Sequence, residues 1–466
     1  MSDCLARSCP KQFSRWEDGD RLEACPTRGI APPPQHSVTL TRILRDLLFC
    51  LLVGLLTSCG PKPAAPSRAI TSFHITGVYT EAARALAIEF ERETGIHVNV
   101  IEAGLFSLRE KELTDLLTQG GNYDVMQVAY QWEGEILPHL RPLDDVVGQI
   151  APDLEDFIPT VRTNCGQWNG RLYGLPMACD VITLLYRTDL FAARSDEFQR
   201  LTGRPLRPPT TWPEYVEIAR FLHSDSLYGN ILMGREQTYT VWSGILHGMG
   251  GRQVDERWRP ALNSEAGVRS LALFVEMFQY APPHSVDRSI RDADTLFLQG
   301  RGAMYLAWPS LIWSQLSDTN HCKIAGKIGA AVIPGGQPQL SAWSLGVNPA
   351  CKDPEAAYLW IRFFVNQTNT KRLLLQYGKG SPRISTYSDA QCQEKVFYLA
   401  PLLEGLAGNQ SRFRIPPSQE LSDYLDNELQ KAIRGQITPQ AALDRTAARW
   451  REILIQSGHL HETSAP

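Results

Sequence analysis

Bond-breaking chemistry leaves recognisable spacings in a sequence, and this chain of 466 residues carries none of the common ones. It has no G-x-S-x-G elbow for a serine nucleophile, no H-E-x-x-H for a zinc-bound water, and no Walker or G-x-G-x-x-G loop for phosphates. HGMGG (residues 247–251) reads as a glycine-rich turn. A glycosidase needs two carboxylates flanking the scissile bond. Asp180 could be one, but nothing marks the second. Of ten cysteines, Cys4, Cys9, Cys25, Cys50 and Cys59 lie near the N-terminus, leaving Cys165, Cys179, Cys322, Cys351 and Cys392. These five form no C-x-x-C, so neither a zinc site nor a disulfide framework is expected, and they read as buried thiols with at most two incidental bridges.

The elements that would position a site alternate strand and helix. SFHITGV (72–78) is followed by a helix over 81–94, with Thr80 as cap, Ala83, Leu86, Ala87 and Phe90 on one face, and Gly95 as the stop. HVNVIEA (97–103), the helical SLREKELTDLLTQGG and the strand DVMQVA (124–129) continue the pattern. Such alternation implies a parallel sheet covered by helices, whose ligands sit beyond the C-terminal ends of the strands. Further helix starts follow. Thr211-Trp-Pro-Glu214 is a capping box, Asn263-Ser264-Glu265 opens a helix with Val268, Leu271, Ala272 and Val275 on one face, and Asp353-Pro354-Glu355 and Thr438-Pro439 open two more. Residues 300–313 and 328–347 read as strands and turns.

The apolar run 47–56 is about half the ~20 residues that a membrane-spanning helix needs. It follows Arg42 and Arg45 and ends in small residues, the arrangement of a secretory signal. Leu56-Thr57-Ser58-Cys59 resembles the bacterial lipobox, in which the cysteine is lipidated and becomes the new N-terminus. Residues 1–58 are therefore expected to be removed and 59–67, rich in proline, to form a tether. The segment before the apolar run is too long for a normal signal, which implies that translation begins near Val38. About 400 residues remain, more than one core usually supports. With 43% hydrophobic and 21% charged residues, a formal charge of −4 and no Lys/Arg run, the chain is globular and gives no support to a nucleic-acid partner.

YDVMQVAYQWEGEILPHLRPLDDVV, GRLYGLPMACDVITLLYRTDLF, PPTTWPEYVEIARFL, LNSEAGVRSLALFVEMF, FLQGRGAMYLAWPS and AVIPGG…SAWSLGVNPACKDPEAAYLWIRFFVNQTNTKRLLLQYGKGSPRISTYSD occur in this order. Together they resemble the extracellular solute-binding proteins of the carbohydrate type, the receptors of bacterial ABC importers, over about residues 71–454. The resemblance implies an α/β, two-lobed periplasmic-binding-protein fold of type II, with residues 68–183 and 344–382 in one lobe and 184–343 and 383–460 in the other. It also implies a monomer with no cofactor that closes on a sugar or sugar alcohol, delivers it to permease subunits and is held to the membrane through Cys59.

A sugar presents an apolar face and a rim of hydroxyls, so its site needs aromatic plates and a few forking polar groups. Carried over onto this sequence, the resemblance points to Tyr79, Tyr130, Gln131, Trp132, Asp180, Trp242, Trp308, Trp343 and Arg383. Each has a rival structural role. The tryptophans can pack cores, Asp180 can pair with an arginine, and Arg383 can stabilise the hinge. Receptors of the same fold for polyamine, glycerol phosphate or iron, a signalling subunit, and a lipoprotein glycosidase remain as alternatives. One acid among several rings fits a neutral polyhydroxyl ligand best.

Overall fold

The computed structural model describes residues 68–235 and 237–461; the apolar run, Cys59 and the tether lie outside them. Eleven strands are described: β1 (Ala69–Ile75), β2 (His97–Ala103), β3 (Val125–Ala129), β4 (Gln167–Trp168), β5 (Arg171–Leu172), β6 (Gly174–Val181), β7 (Thr183–Arg187), β8 (Tyr228–Ile231), β9 (Gly302–Ala307), β10 (Ile328–Val332) and β11 (Leu340–Val347).

They form two main sheets. The first runs β2-β1-β3-β11-β6 and the second β10-β7-β9-β8, with β4 and β5 as a separate hairpin. In the first, β1 is parallel to β2 and β3, with Phe73 opposite both Ile101 and Met126, while β11 runs antiparallel to β3 and β6. Every residue of β3 is buried, as in a strand covered on both faces. Alternation sends Val125 to the core under the helices Val78–Thr94 and Pro354–Phe364, while Met126 and Val128 join the opposite core with Leu108, Trp132 and Ile136. A third core surrounds the second sheet and the C-terminal helices.

The chain leaves the first sheet after Val181 and enters the second at Thr183. It returns between Val332 and Leu340. A third passage runs beside these, where Cys179 N–H donates to Gly380 O at 2.9 Å and Ile158 N–H donates to Pro382 O at 2.8 Å.

Local signals place most elements, with instructive shifts. Thr211 and Glu214 form the reciprocal capping box, Asp353 and Thr438 cap their helices, and Gly95 ends the first helix at φ 70°. That helix starts at Val78, so Thr80 is not its cap; its hydroxyl instead donates back to Ile75 O at 2.7 Å. In the helix Glu265–Met277 the buried stripe is Gly267, Ser270, Leu271, Phe274 and Met277, while Ala272 faces solvent. The expected face is displaced because Phe274 and Met277 fill the core. After β9 the chain forms the helix Pro309–Leu316 rather than a turn. Cys165, Cys179, Cys322, Cys351 and Cys392 are all buried and free. No described helix is long and apolar enough to cross a membrane.

Candidate functional site

A cavity of about 880 Å³ opens between the two sheets, lined from both. Its walls come from strands and their ends, the first turns of several helices and the body of the helix Ser418–Ile433. Six of the nine expected residues line it: Tyr79, Tyr130, Gln131, Asp180, Trp308 and Trp343.

Trp343 stands on β11, opposite Ala129 on one side and Ala178 on the other, next to a register shift before Ser344. Small neighbours on both flanks leave its ring room to face the cavity. Tyr79, in the first turn of its helix, meets it at 5.6 Å between centroids. Trp308 follows β9 and donates its indole N–H to Gln237 Oε1 at 3.1 Å. Its ring orientation is fixed from the second lobe.

Asp180 is the penultimate residue of β6, beside the crossing. Its Oδ1 accepts the Val181 N–H at 2.8 Å, while Oδ2 is buried without a hydrogen-bond partner. Burial pushes this carboxyl up to about 6, partly offset by Ser310, Lys379 and the Val181 N–H. The cation beside Asp180 is thus Lys379 rather than an arginine. Lys379 is itself only 5% exposed, lies 5.2 Å from the centre of the Tyr79 ring and has Ser310 Oγ at 3.4 Å. Burial lowers its pKa, and Asp180 opposes that shift.

Three expected contacts are displaced from the cavity. Trp132 is 1% exposed and packs edge-on against Trp343, at 6.4 Å, in the core behind the site. The tight turn that presents Tyr130 and Gln131 rotates the third residue inward. Trp242 is fully buried; Tyr239 and Thr240 of the same helix line the cleft, and at about 100° per residue Trp242 turns to the core. Arg383, 1% exposed, forks onto Asp153 at 2.7 and 3.2 Å and donates from Nε to Val365 O at 2.7 Å. It fastens the third passage and is not part of the cavity lining.

The cavity also holds residues that no local pattern marked: Lys379, Arg412, Asp423, Asp426, Gln237 and Ser310. The expectation of a single acid is therefore corrected, since Asp423 and Asp426 join Asp180. Asp426 caps the second-lobe helix, accepting the Tyr239 N–H at 2.9 Å and the Gln430 amide at 2.7 Å. The burial of Lys379 becomes visible only in three dimensions. Among the described residues no cluster of three metal-ligating side chains occurs.

A probable amino-acid ABC transporter periplasmic-binding protein of Sinorhizobium fredii is 26% identical over 444 residues, 93% of this chain and 98% of that one. The mannitol-binding protein of Pseudomonas aeruginosa is 24% identical over 368 residues, 72% of this chain and 81% of that one. A solute-binding protein of Agrobacterium radiobacter K84 in complex with ribitol superposes with a TM-score of 0.72 at 26% identity, covering 84% and 100% of the two chains. Maltose-bound MalE3 of T. maritima shares the fold, with a TM-score of 0.72 at 23% identity over 83% and 100%. The family model for bacterial extracellular solute-binding proteins matches residues 76–371. With a two-lobed α/β fold, a cleft between the sheets and a match spanning more than half its length, this chain belongs to the bacterial extracellular solute-binding protein family.

Proposed function

We propose that this chain captures a neutral sugar or sugar alcohol in its interlobe cleft and hands it to an ABC permease without transforming it. The observation that carries this reading is the placement of Tyr79, Trp343 and Trp308 around Asp180, whose buried Oδ2 awaits a donor. Rings cover apolar C–H faces, and a carboxylate accepts hydroxyl protons. The relatives named for mannitol, ribitol and maltose support the same ligand class.

A second reading has its own observation. Lys379 and Arg412 share the cavity with three carboxylates, so an amino acid could bind by both charges, as the name of the Sinorhizobium relative suggests. A thermal-shift panel of polyols, mono- and disaccharides and amino acids separates them. A ligand at 100 times its dissociation constant adds ~2.7 kcal/mol. Stabilisation by a polyol or sugar is expected; a response to amino acids alone would replace the first reading with the second.

On this proposal the closing lobes are residues 68–183 with 340–382 and 184–339 with 383–460, the boundary expected at 343/344 falling inside β11 and so moving to its start, and the protein works as a monomer at the outer face of the membrane. Cys59 is the acylated N-terminus of the mature chain. Intact mass of protein from its native membrane tests this, since a species retaining Met1 would refute cleavage and acylation together.

A further inference from the structure

Between the helices Leu399–Ala407 and Ser418–Ile433, residues 408–417 run as a strap that touches both sides of the cleft. Gln410 donates its N–H to Pro338 O at 2.8 Å, and Leu340 N–H donates to Gln410 O at 2.9 Å. Arg412 then enters the cavity wall. Its guanidinium lies 5.9 Å from the ring centre of Tyr130 and 4.6 Å from that of Tyr239, so it is placed between a first-sheet loop and a second-lobe helix. Nη2 donates to Thr240 Oγ1 at 3.0 Å, and Nε is buried without a partner.

Two residues on, the strap is pinned. Arg414 donates from Nη1 to Thr163 O at 2.7 Å, and its Nε lies 3.1 Å from Glu133 Oε2. Glu133 is fully buried, and its Oε1 accepts the Gly166 N–H at 2.6 Å. It opens the helix Glu133–Ile136, directly after the Tyr130–Trp132 turn. A Cβ on Gly134 would sit 2.6 Å from Ile415 N, so strap and helix backbone are in direct contact. A buried carboxylate opposite one guanidinium holds its geometry because separating the two would strand a charge.

We propose that Arg412 is a specificity-determining residue that donates its free guanidinium edge to two adjacent ligand oxygens, positioned for this by the buried Glu133–Arg414 pair. This rests on the sugar or polyol reading above. A guanidinium offers only donors in a fixed plane, and the Asp180 carboxylate offers only acceptors. A ligand that meets both must accept at one place and donate at another. Vicinal hydroxyls do both, which selects chains and rings carrying neighbouring hydroxyls over deoxygenated analogues.

The test is a double-mutant cycle on the full-length protein, read by calorimetric titration with ribitol, D-mannitol and maltose, and by the melting temperature of the free protein. Arg412→Lys keeps the charge and loses the planar fork. It is expected to weaken the best-bound ligand about tenfold, the scale of one charged hydrogen bond, while the free protein melts as wild type. Glu133→Gln should weaken the same ligand, and the double variant should bind no worse than Arg412→Lys alone, because both changes remove one contact. Losses that multiply would show that Glu133 acts only through stability and would overturn its positioning role. If Glu133→Gln does not fold, Arg414→Lys, which keeps the charge facing Glu133, replaces it in the cycle. Unchanged affinity in Arg412→Lys, with wild type binding normally, overturns this inference alone. Wild type silent to all three ligands overturns the polyol reading and this inference with it.

Discussion

Asp180 has unused acceptor capacity at the cavity wall, its Oδ2 being buried without a hydrogen-bond partner. Its carboxyl is pushed up to about 6 by burial. Ligand hydroxyls donating to it favour the ionised form, so the bound carboxyl titrates lower than the free one, and protonation competes with binding. Affinity is therefore expected to be full above about pH 6 and to fall as pH drops through that value. Asp180→Asn should flatten this dependence. Calorimetry from about pH 5 to 8 decides it, and a flat wild-type profile would remove Asp180 from the contacts. Trp308 and Trp343 carry a second expectation. A ligand covering about half of the ~150–250 Å² that such a ring can bury gains about 2–3 kcal/mol at ~25 cal/mol per Å², so Trp308→Ala or Trp343→Ala should each lose about that much binding. Trp132→Ala should instead lower unfolding free energy by about 3–5 kcal/mol, as a cavity in the core behind Trp343 does. Urea unfolding alongside titration separates the two behaviours.

Among elements, close approach of backbones matters as much as the apolar stripes. Strand β8 lies so near the helix Trp212–Leu222 that a Cβ on Gly229 would fall 1.9 Å from Ala219 O. Backbone cannot yield there as a side-chain tip can, so Gly229→Ala should destabilise by more than about 2 kcal/mol. Thr211→Ala, at the start of the same helix, should cost only about 1 kcal/mol, the worth of a cap. Equal shifts in the denaturation midpoints of the two variants would contradict this account. The capping box itself was plain in the sequence because four consecutive residues make it. Gly229 was not, because its neighbour lies ten positions away and is reached only by packing.

The whole molecule is two sheets joined by three adjacent passages, at Ile182, between Val332 and Leu340, and beside Gly380 to Arg383. Such a joint lets a ligand touching both walls shift the population toward a closed form, because those contacts coexist only when the lobes meet. Scattering should record a smaller radius of gyration on saturation with ligand; an unchanged radius would exclude closure. The five described cysteines are free and buried, with burial raising every thiol. Iodoacetamide should leave these five unmodified in the native protein and label them all in denaturant, as peptide mass spectrometry would read. Native labelling at any of them would place that thiol at a mobile surface.

The alternation of strands and capped helices, the stop at Gly95 and the buried strand Val125–Ala129 were all determined by the sequence alone, since each depends on neighbours within one turn or one strand. So was the candidacy of Tyr130 and Gln131, which follow a strand at the edge where such folds bind ligands, while that of Asp180, Trp308 and Trp343 came from the family resemblance of the segments that hold them. Only tertiary structure decided which rings face the cavity. Trp132 and Trp242 lie one or two residues from lining side chains yet turn inward, and a rotation of about 100° per residue is not written in residue type. Arg383, Lys379 and Arg412 show the same division. Whether a cation is spent on Asp153 and Asp156 or left free at a cleft depends on segments more than 200 residues away in the chain, and long-range packing alone sets that choice.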